Sequence, residues 1–161
     1  MKQSLLILLF AFCIFNSSPA QVRAIKFAEL ENILNKKNDT TIVVNLWATW
    51  CNPCVKELPY FNKLSQNTSN KKLKVVLVSL DFKRELDTKL IPFVSNNKIT
   101  ADVFLLDEPD YNSWMNKVDS TWSGGLPCTV IIDAGKQKHL FEREFESYSD
   151  LEKIVNPLIP N

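Results

Sequence analysis

The sequence predicts an α/β domain: a central mixed β-sheet with a parallel centre and helices on both faces. Three observations lead there. Residues 40–48 are β-branched and apolar with almost no polar alternation, as a strand covered on both sides is, and 72–80 read as a second buried strand. Segments with apolar residues at helical spacing alternate with those runs. A hairpin and a last helix then close the chain, the order expected of a mixed sheet.

The elements follow in turn. Lys2 is the only charge before Arg23, and residues 5–15 carry no polar side chain. Eleven residues as a helix span about 16 Å, roughly half a bilayer core, which is too short for an anchor. The basic start, the short apolar run and Ser18-Pro19-Ala20 predict a secretory signal peptide, residues 1–20, cut after Ala20. An uncleaved helix lying in a membrane interface is the alternative. Cys13 falls inside the apolar run and is discarded with it. Residues 21–161 are then the working domain, exported to the periplasm or secreted.

Phe27, Leu30, Ile33 and Leu34 predict a short amphipathic helix, broken at Asn38-Asp39. The first buried strand is 40–48. Pro53 suits the first turn of the next helix, which runs to about Gln66, and Pro59 should kink it. The second buried strand is 72–80. Residues 84–96 read as a helix interrupted by Pro92, 103–106 as a short strand and 107–118 as irregular. Residues 129–133 and 138–145 pair as a hairpin around Ala134-Gly135-Lys136, and 150–158 close the chain as a helix. Asn38 and Asn67 head tripeptides that match glycosylation sequons, a pattern common by chance.

Composition narrows the function. With 161 residues, 45% hydrophobic and 23% charged, the chain is one globular domain and not a disordered or collagen-like one. Lys and Arg total 19 against 18 Asp and Glu, which gives no electrostatic reason to expect nucleic acid. Four cysteines are too few to build a disulfide scaffold, so the core is apolar packing.

The informative segment is Asn45-Leu-Trp-Ala-Thr-Trp-Cys51-Asn-Pro-Cys54-Val-Lys-Glu57. Its two cysteines stand where a strand hands over to a helix. There the unpaired N–H groups and positive dipole end stabilise a thiolate at Cys51. Cys54, one turn deeper, is the less exposed of the two. The division of labour follows: Cys51 attacks a substrate disulfide, and Cys54 then attacks Cys51 and releases the substrate. A fixed disulfide is one alternative. A zinc site is another, but it needs about four ligands, and only Cys128 and His139 remain. No metal and no cofactor are expected.

This segment resembles the active site of thioredoxin-like proteins, and more narrowly that of the exported TlpA/ResA-like thiol-disulfide oxidoreductases. Gly124-Gly125-Leu126-Pro127-Cys128-Thr129 is similar to the family's cis-proline loop. The resemblance implies a thioredoxin-like fold, Cys51 as nucleophile and Cys54 as resolving thiol, paired as a disulfide when oxidised. It also implies a substrate-facing surface of Trp50, Leu126 and a cis Pro127, where an extended substrate hydrogen-bonds as in strand addition. The partners it implies are proteins carrying thiols or disulfides, with a membrane electron donor. Reduction is the favoured direction, since exported compartments already hold oxidants.

Two departures stand out. Cytoplasmic thioredoxins carry a buried Asp where this chain has Asn45, which cannot titrate. Glu57, three residues after Cys54, shares its helix face, and exported relatives have a Glu there. Either it receives the Cys54 proton, or it is a solvated residue paired with Lys56 or Lys63. Cys128 is either an inert buried thiol facing away from the pair or a third redox thiol. Trp47 is expected in the core and His139 on the exposed face of the hairpin. Trp114 and Trp122 either widen the substrate surface or pack inside.

Three other functions share such a fold. A peroxiredoxin-like enzyme would need its cysteine in a Pro-rich Thr/Cys segment, which Trp50-Cys51-Asn52-Pro53-Cys54 is not. A metal-delivery protein would need a histidine near the thiols. A non-catalytic binding module would use the face near Trp50 and Leu126 without turnover.

Overall fold

The computed structural model describes residues 22–36, 39–66 and 72–160. The expected signal peptide and the sequon asparagines Asn38 and Asn67 lie outside the described residues. Six strands form one sheet: β1 (Arg23–Ile25), β2 (Thr41–Trp47), β3 (Leu73–Ser79), β4 (Asp102–Leu106), β5 (Cys128–Ile132) and β6 (Lys138–Phe141). Five helices accompany them: α1 (Phe27–Leu34), α2 (Asn52–Ser65), α3 (Ile91–Asn96), α4 (Met115–Val118) and α5 (Tyr148–Val155). The strand order is β1-β4-β3-β2-β5-β6. The first four run parallel, β5 pairs antiparallel with β2, and β6 pairs antiparallel with β5.

The two apolar runs occupy the middle of this sheet. Every residue of β2 is buried, because α2 and α5 cover one face and α1 and α4 the other. Side chains alternate along a strand. Val43 and Trp47 therefore join the cluster under α2 and α5, while Ile42, Val44 and Leu46 join the cluster under α1. Burying each such side chain contributes roughly 1.5–3 kcal/mol, so the sheet centre anchors whatever is built at its ends.

The structure departs from the sequence reading in three places. Strand β1 was not expected; it is three residues long and pairs with β4 at the sheet edge. The segment read as irregular contains a 3-10 turn, Tyr111–Ser113, and the short helix α4. The return strand of the hairpin stops at Phe141, short of the expected Phe145. Pro92 lies in the first turn of α3, after a 3-10 turn and a π turn. A helix restarts there because proline has no N–H to give to the preceding turn. Among the described residues, no helix is long and apolar enough to cross a membrane.

Candidate active site

Strand β2 delivers Thr49, Trp50 and Cys51 to the start of α2. Cys51 is the N-cap: its carbonyl accepts from Val55 N at 3.0 Å, and its Sγ accepts from Cys54 N at 3.4 Å. Pro53 occupies the first turn, where its missing N–H would be unpaired in any helix. The three-residue spacing closes one turn and brings the sulfurs together as a disulfide of 2.05 Å. Cys51 keeps 6% exposure, and Cys54 is fully buried.

Cys51 opens on a groove of about 550 Å³. Trp50, Asn52, Pro53, Leu80, Tyr111, Gly124 and Leu126 line it with Cys51. Trp50 stands 54% exposed on the rim. The Leu126–Pro127 peptide is cis, and Pro127 is buried while Leu126 is half-buried. The structure thus brings Trp50, Cys51 and Leu126 to one opening.

Behind the disulfide lies a buried polar network. Glu57, one turn on from Cys54, is fully buried. Its Oε1 accepts from Asn45 Nδ2 at 2.9 Å, and its Oε2 accepts from Phe145 N at 2.8 Å. Asn45 also donates to Thr129 Oγ1 at 3.0 Å, directly across the β2–β5 pair. Burial pushes the Glu57 carboxyl up to about 7, against the opposing pull of the Phe145 N–H and the Asn45 amide. The solvated alternative therefore fails: Glu57 touches neither lysine, and Lys63 instead lies over the Tyr148 ring at 4.0 Å. A carboxyl that changes charge near neutrality can take or give a proton at working pH.

Two further carboxylates, unmarked by any motif, hold the backbone on either side of Cys51. Asp81 is buried and accepts from Thr49 N at 3.0 Å, Thr49 Oγ1 at 2.5 Å and Ser79 Oγ at 2.7 Å. Glu142 accepts from Ser123 N at 3.0 Å, Gly125 N at 2.7 Å and Ser123 Oγ. Both partnerships join segments far apart in the chain, which no local pattern reveals.

The remaining residues are more ordinary. Cys128 is fully buried in the cluster on the opposite sheet face from the disulfide. Burial and the nearby acids Glu142, Asp119 and Glu57 push its thiol up to about 12, so it carries almost no thiolate. Trp114 and Trp122 are buried and do not line the groove, which decides for the packing alternative. They act one layer behind it: Trp114 packs on Phe27, Tyr111 and Trp122, with ring centroids 5.3–6.1 Å apart. Trp47 is buried in the core. His139 is half-buried and meets Asp133 Oδ2 at 3.0 Å.

A family described as AhpC/TSA matches residues 19–138. Thiol-disulfide oxidoreductase ResA of Bacillus thuringiensis (strain Al Hakam) is 30% identical over 93 residues, 57% of this chain and 48% of that protein. The chain thus spans about half the length of the curated relatives it matches. Among solved structures, a thioredoxin-related protein from Neisseria meningitidis serogroup B superposes with TM-score 0.62 at 24% identity, covering 78% of this chain and 89% of that one. A thiol:disulfide interchange protein of the thioredoxin family from Chlorobium tepidum TLS gives TM-score 0.62 at 19% identity, covering 76% and 81%. These likenesses make the architecture a thioredoxin-like fold, as the resemblance implied. The family match takes in the sheet centre, the Cys51–Cys54 pair and the Pro127 loop, and on it this thioredoxin-like chain belongs to the AhpC/TSA family.

Proposed function

We propose that the protein is an exported thiol-disulfide oxidoreductase that works on other proteins, chiefly as a reductase. One observation carries the reading: a Cys51–Cys54 disulfide at the start of a helix, opening on an apolar groove beside Leu126. Residues 1–20 serve as a cleaved leader and residues 21–161 as the working domain.

In the reduced protein, Cys51 is the thiolate, stabilised by the N–H groups that open α2. It attacks one sulfur of a substrate disulfide. A Cys51–substrate bond forms, the substrate S–S bond breaks, and the departing thiolate takes a proton. Glu57 takes the proton of Cys54. Cys54 then attacks Cys51 Sγ, the internal disulfide forms, and the second substrate thiolate leaves. Two electrons pass to the substrate, whose two thiols take one proton from Cys54 by way of Glu57 and one from solvent. A membrane-bound dithiol donor returns the pair to the reduced state by the same exchange run backwards. Trp50 and Leu126 form the surface on which the substrate chain lies, and the buried cis Pro127 sets the turn that presents Leu126.

The test is a trap. In Cys54→Ser the second attack is impossible, so substrate proteins accumulate on Cys51 and are identified after capture from the exported fraction. A folded, expressed Cys54→Ser with no trapped protein overturns the reading, as does a Cys51 thiolate titrating like a free thiol. The second outcome favours a binding module that uses the same face without turnover.

A further inference from the structure

We infer that Glu142 is a positioning residue: its carboxylate clasps the loop that presents Leu126 to a substrate chain. The inference rests on the oxidoreductase reading and names what sets its preference for protein disulfides.

Glu142 follows β6 and is exposed, yet its side chain is fully engaged. One oxygen accepts from Ser123 N, and the other accepts from Gly125 N and Ser123 Oγ. Two backbone N–H groups and a hydroxyl on one carboxylate make charge-assisted hydrogen bonds, stronger than neutral ones. They hold the carboxyl below its ordinary range. The loop is gripped from the other side too: Trp122 Nε1 donates to Gly125 O at 2.9 Å. Both polar groups of residue 125 are thereby fixed, one residue before Leu126.

The sequence has made room for this grip. A Cβ at Gly125 would overlap Glu142 Oε1, so the carboxylate and any larger residue at 125 exclude each other. Gly124, with φ +93°, turns the chain in the left-handed region that favours glycine. Gly124 and Leu126 line the groove with Cys51, whereas Glu142 does not. It therefore acts through the loop, on the backbone that an extended substrate would pair with.

The experiment compares two substrates. Insulin, a protein disulfide, needs the loop backbone. Bis(2-hydroxyethyl) disulfide needs only Cys51. In Glu142→Ala, KM for insulin rises about tenfold, the effect expected of losing hydrogen bonds to a charged group, and kcat/KM for the small disulfide moves far less. Gly125→Ala keeps Glu142 but evicts its carboxylate, and gives the same split. Glu142→Gln retains one acceptor oxygen and falls between. Equal losses on both substrates, or no change on insulin, overturn the inference. Amide hydrogen exchange reads the clasp without any turnover: Ser123 and Gly125 exchange faster in Glu142→Ala, and unchanged exchange overturns it. An unmodified protein that reduces neither disulfide, while that exchange difference persists, removes the oxidoreductase reading and leaves the clasp standing.

Discussion

Asn45 Nδ2 lies 2.9 Å from Glu57 Oε1, so a strand amide and a helix carboxylate meet in a fully buried site behind the disulfide. The contact is lopsided. Nδ2 serves both Glu57 and Thr129, while Asn45 Oδ1 is buried with no hydrogen-bond partner. That arrangement suits an ionised Glu57. A protonated one would be better matched by the amide turned over, with Oδ1 accepting from it. The pair thus forms a site at which proton uptake has somewhere to go.

The first prediction is thermodynamic. The Glu57 carboxyl is raised from 4.5 to about 7 by burial, so the folded state holds its proton more tightly than the unfolded chain. Its stabilising effect is fully present below pH 4.5, is lost as pH rises through 7, and stays lost above. The loss is about 3 kcal/mol between those limits. Glu57→Gln cannot titrate, so its unfolding free energy lacks this slope. Urea unfolding of the oxidised protein at several pH values between 4 and 8 checks it. Parallel curves for the two proteins would refute it.

The second prediction is kinetic. If Glu57 takes the Cys54 proton, release of substrate from the Cys51 mixed disulfide speeds up as pH rises through about 7, where the carboxyl ionises. Glu57→Gln slows that release by about a hundredfold and removes the inflection. Stopped-flow measurement on a preformed mixed disulfide isolates the step. A variant that kept the inflection would assign it to another group.

What the sequence could and could not disclose follows from the range of the forces involved. The buried strands, the Cys-x-x-Cys turn and the alternation that turns Cys128 away from Cys51 are local, and residues 40–54 and 128 state them outright. Strand β1 was hidden because three residues carry no period of their own; Arg23 to Ile25 become a strand only because β4 offers an edge. The hairpin ends early because Glu142 turns to the Ser123–Gly125 loop and Phe145 N turns to Glu57. The two readings of Glu57 were separable only by burial, which depends on how α2 meets Asn45 and Phe145. Asp81 and Glu142 were invisible for a related reason: each acts on backbone N–H groups, which every sequence has.

Cys128 gives a third prediction. With its thiol pushed up to about 12, only about one molecule in ten thousand carries the thiolate at pH 8. Iodoacetamide therefore leaves the Cys128 peptide unlabelled in the folded protein and labels it fully in urea. Peptide mass spectrometry reads both. Rapid labelling of Cys128 in the folded state would revive its role as a third redox thiol.

The last prediction concerns the floor beneath Cys51. Asp81 is the terminus of a short relay: Ser79 Oγ donates to Asp81 and accepts from Asp81 N, while Asp81 accepts from both the N–H and the hydroxyl of Thr49. Thr49 precedes the cysteine by two residues, so this carboxylate sets where the chain leaves β2 and enters α2. Asp81→Ala strands a backbone N–H and two hydroxyls and costs about 2–4 kcal/mol, a fall in melting temperature of roughly 5–15 °C. Asp81→Asn keeps one acceptor oxygen and loses less. The two variants separate packing from polarity, since Asn matches Asp in volume. If thermal unfolding showed Asn as damaging as Ala, the charge of Asp81 would be what holds Thr49. If Ala were harmless, the turn into Cys51 would be set by the sheet and helix alone.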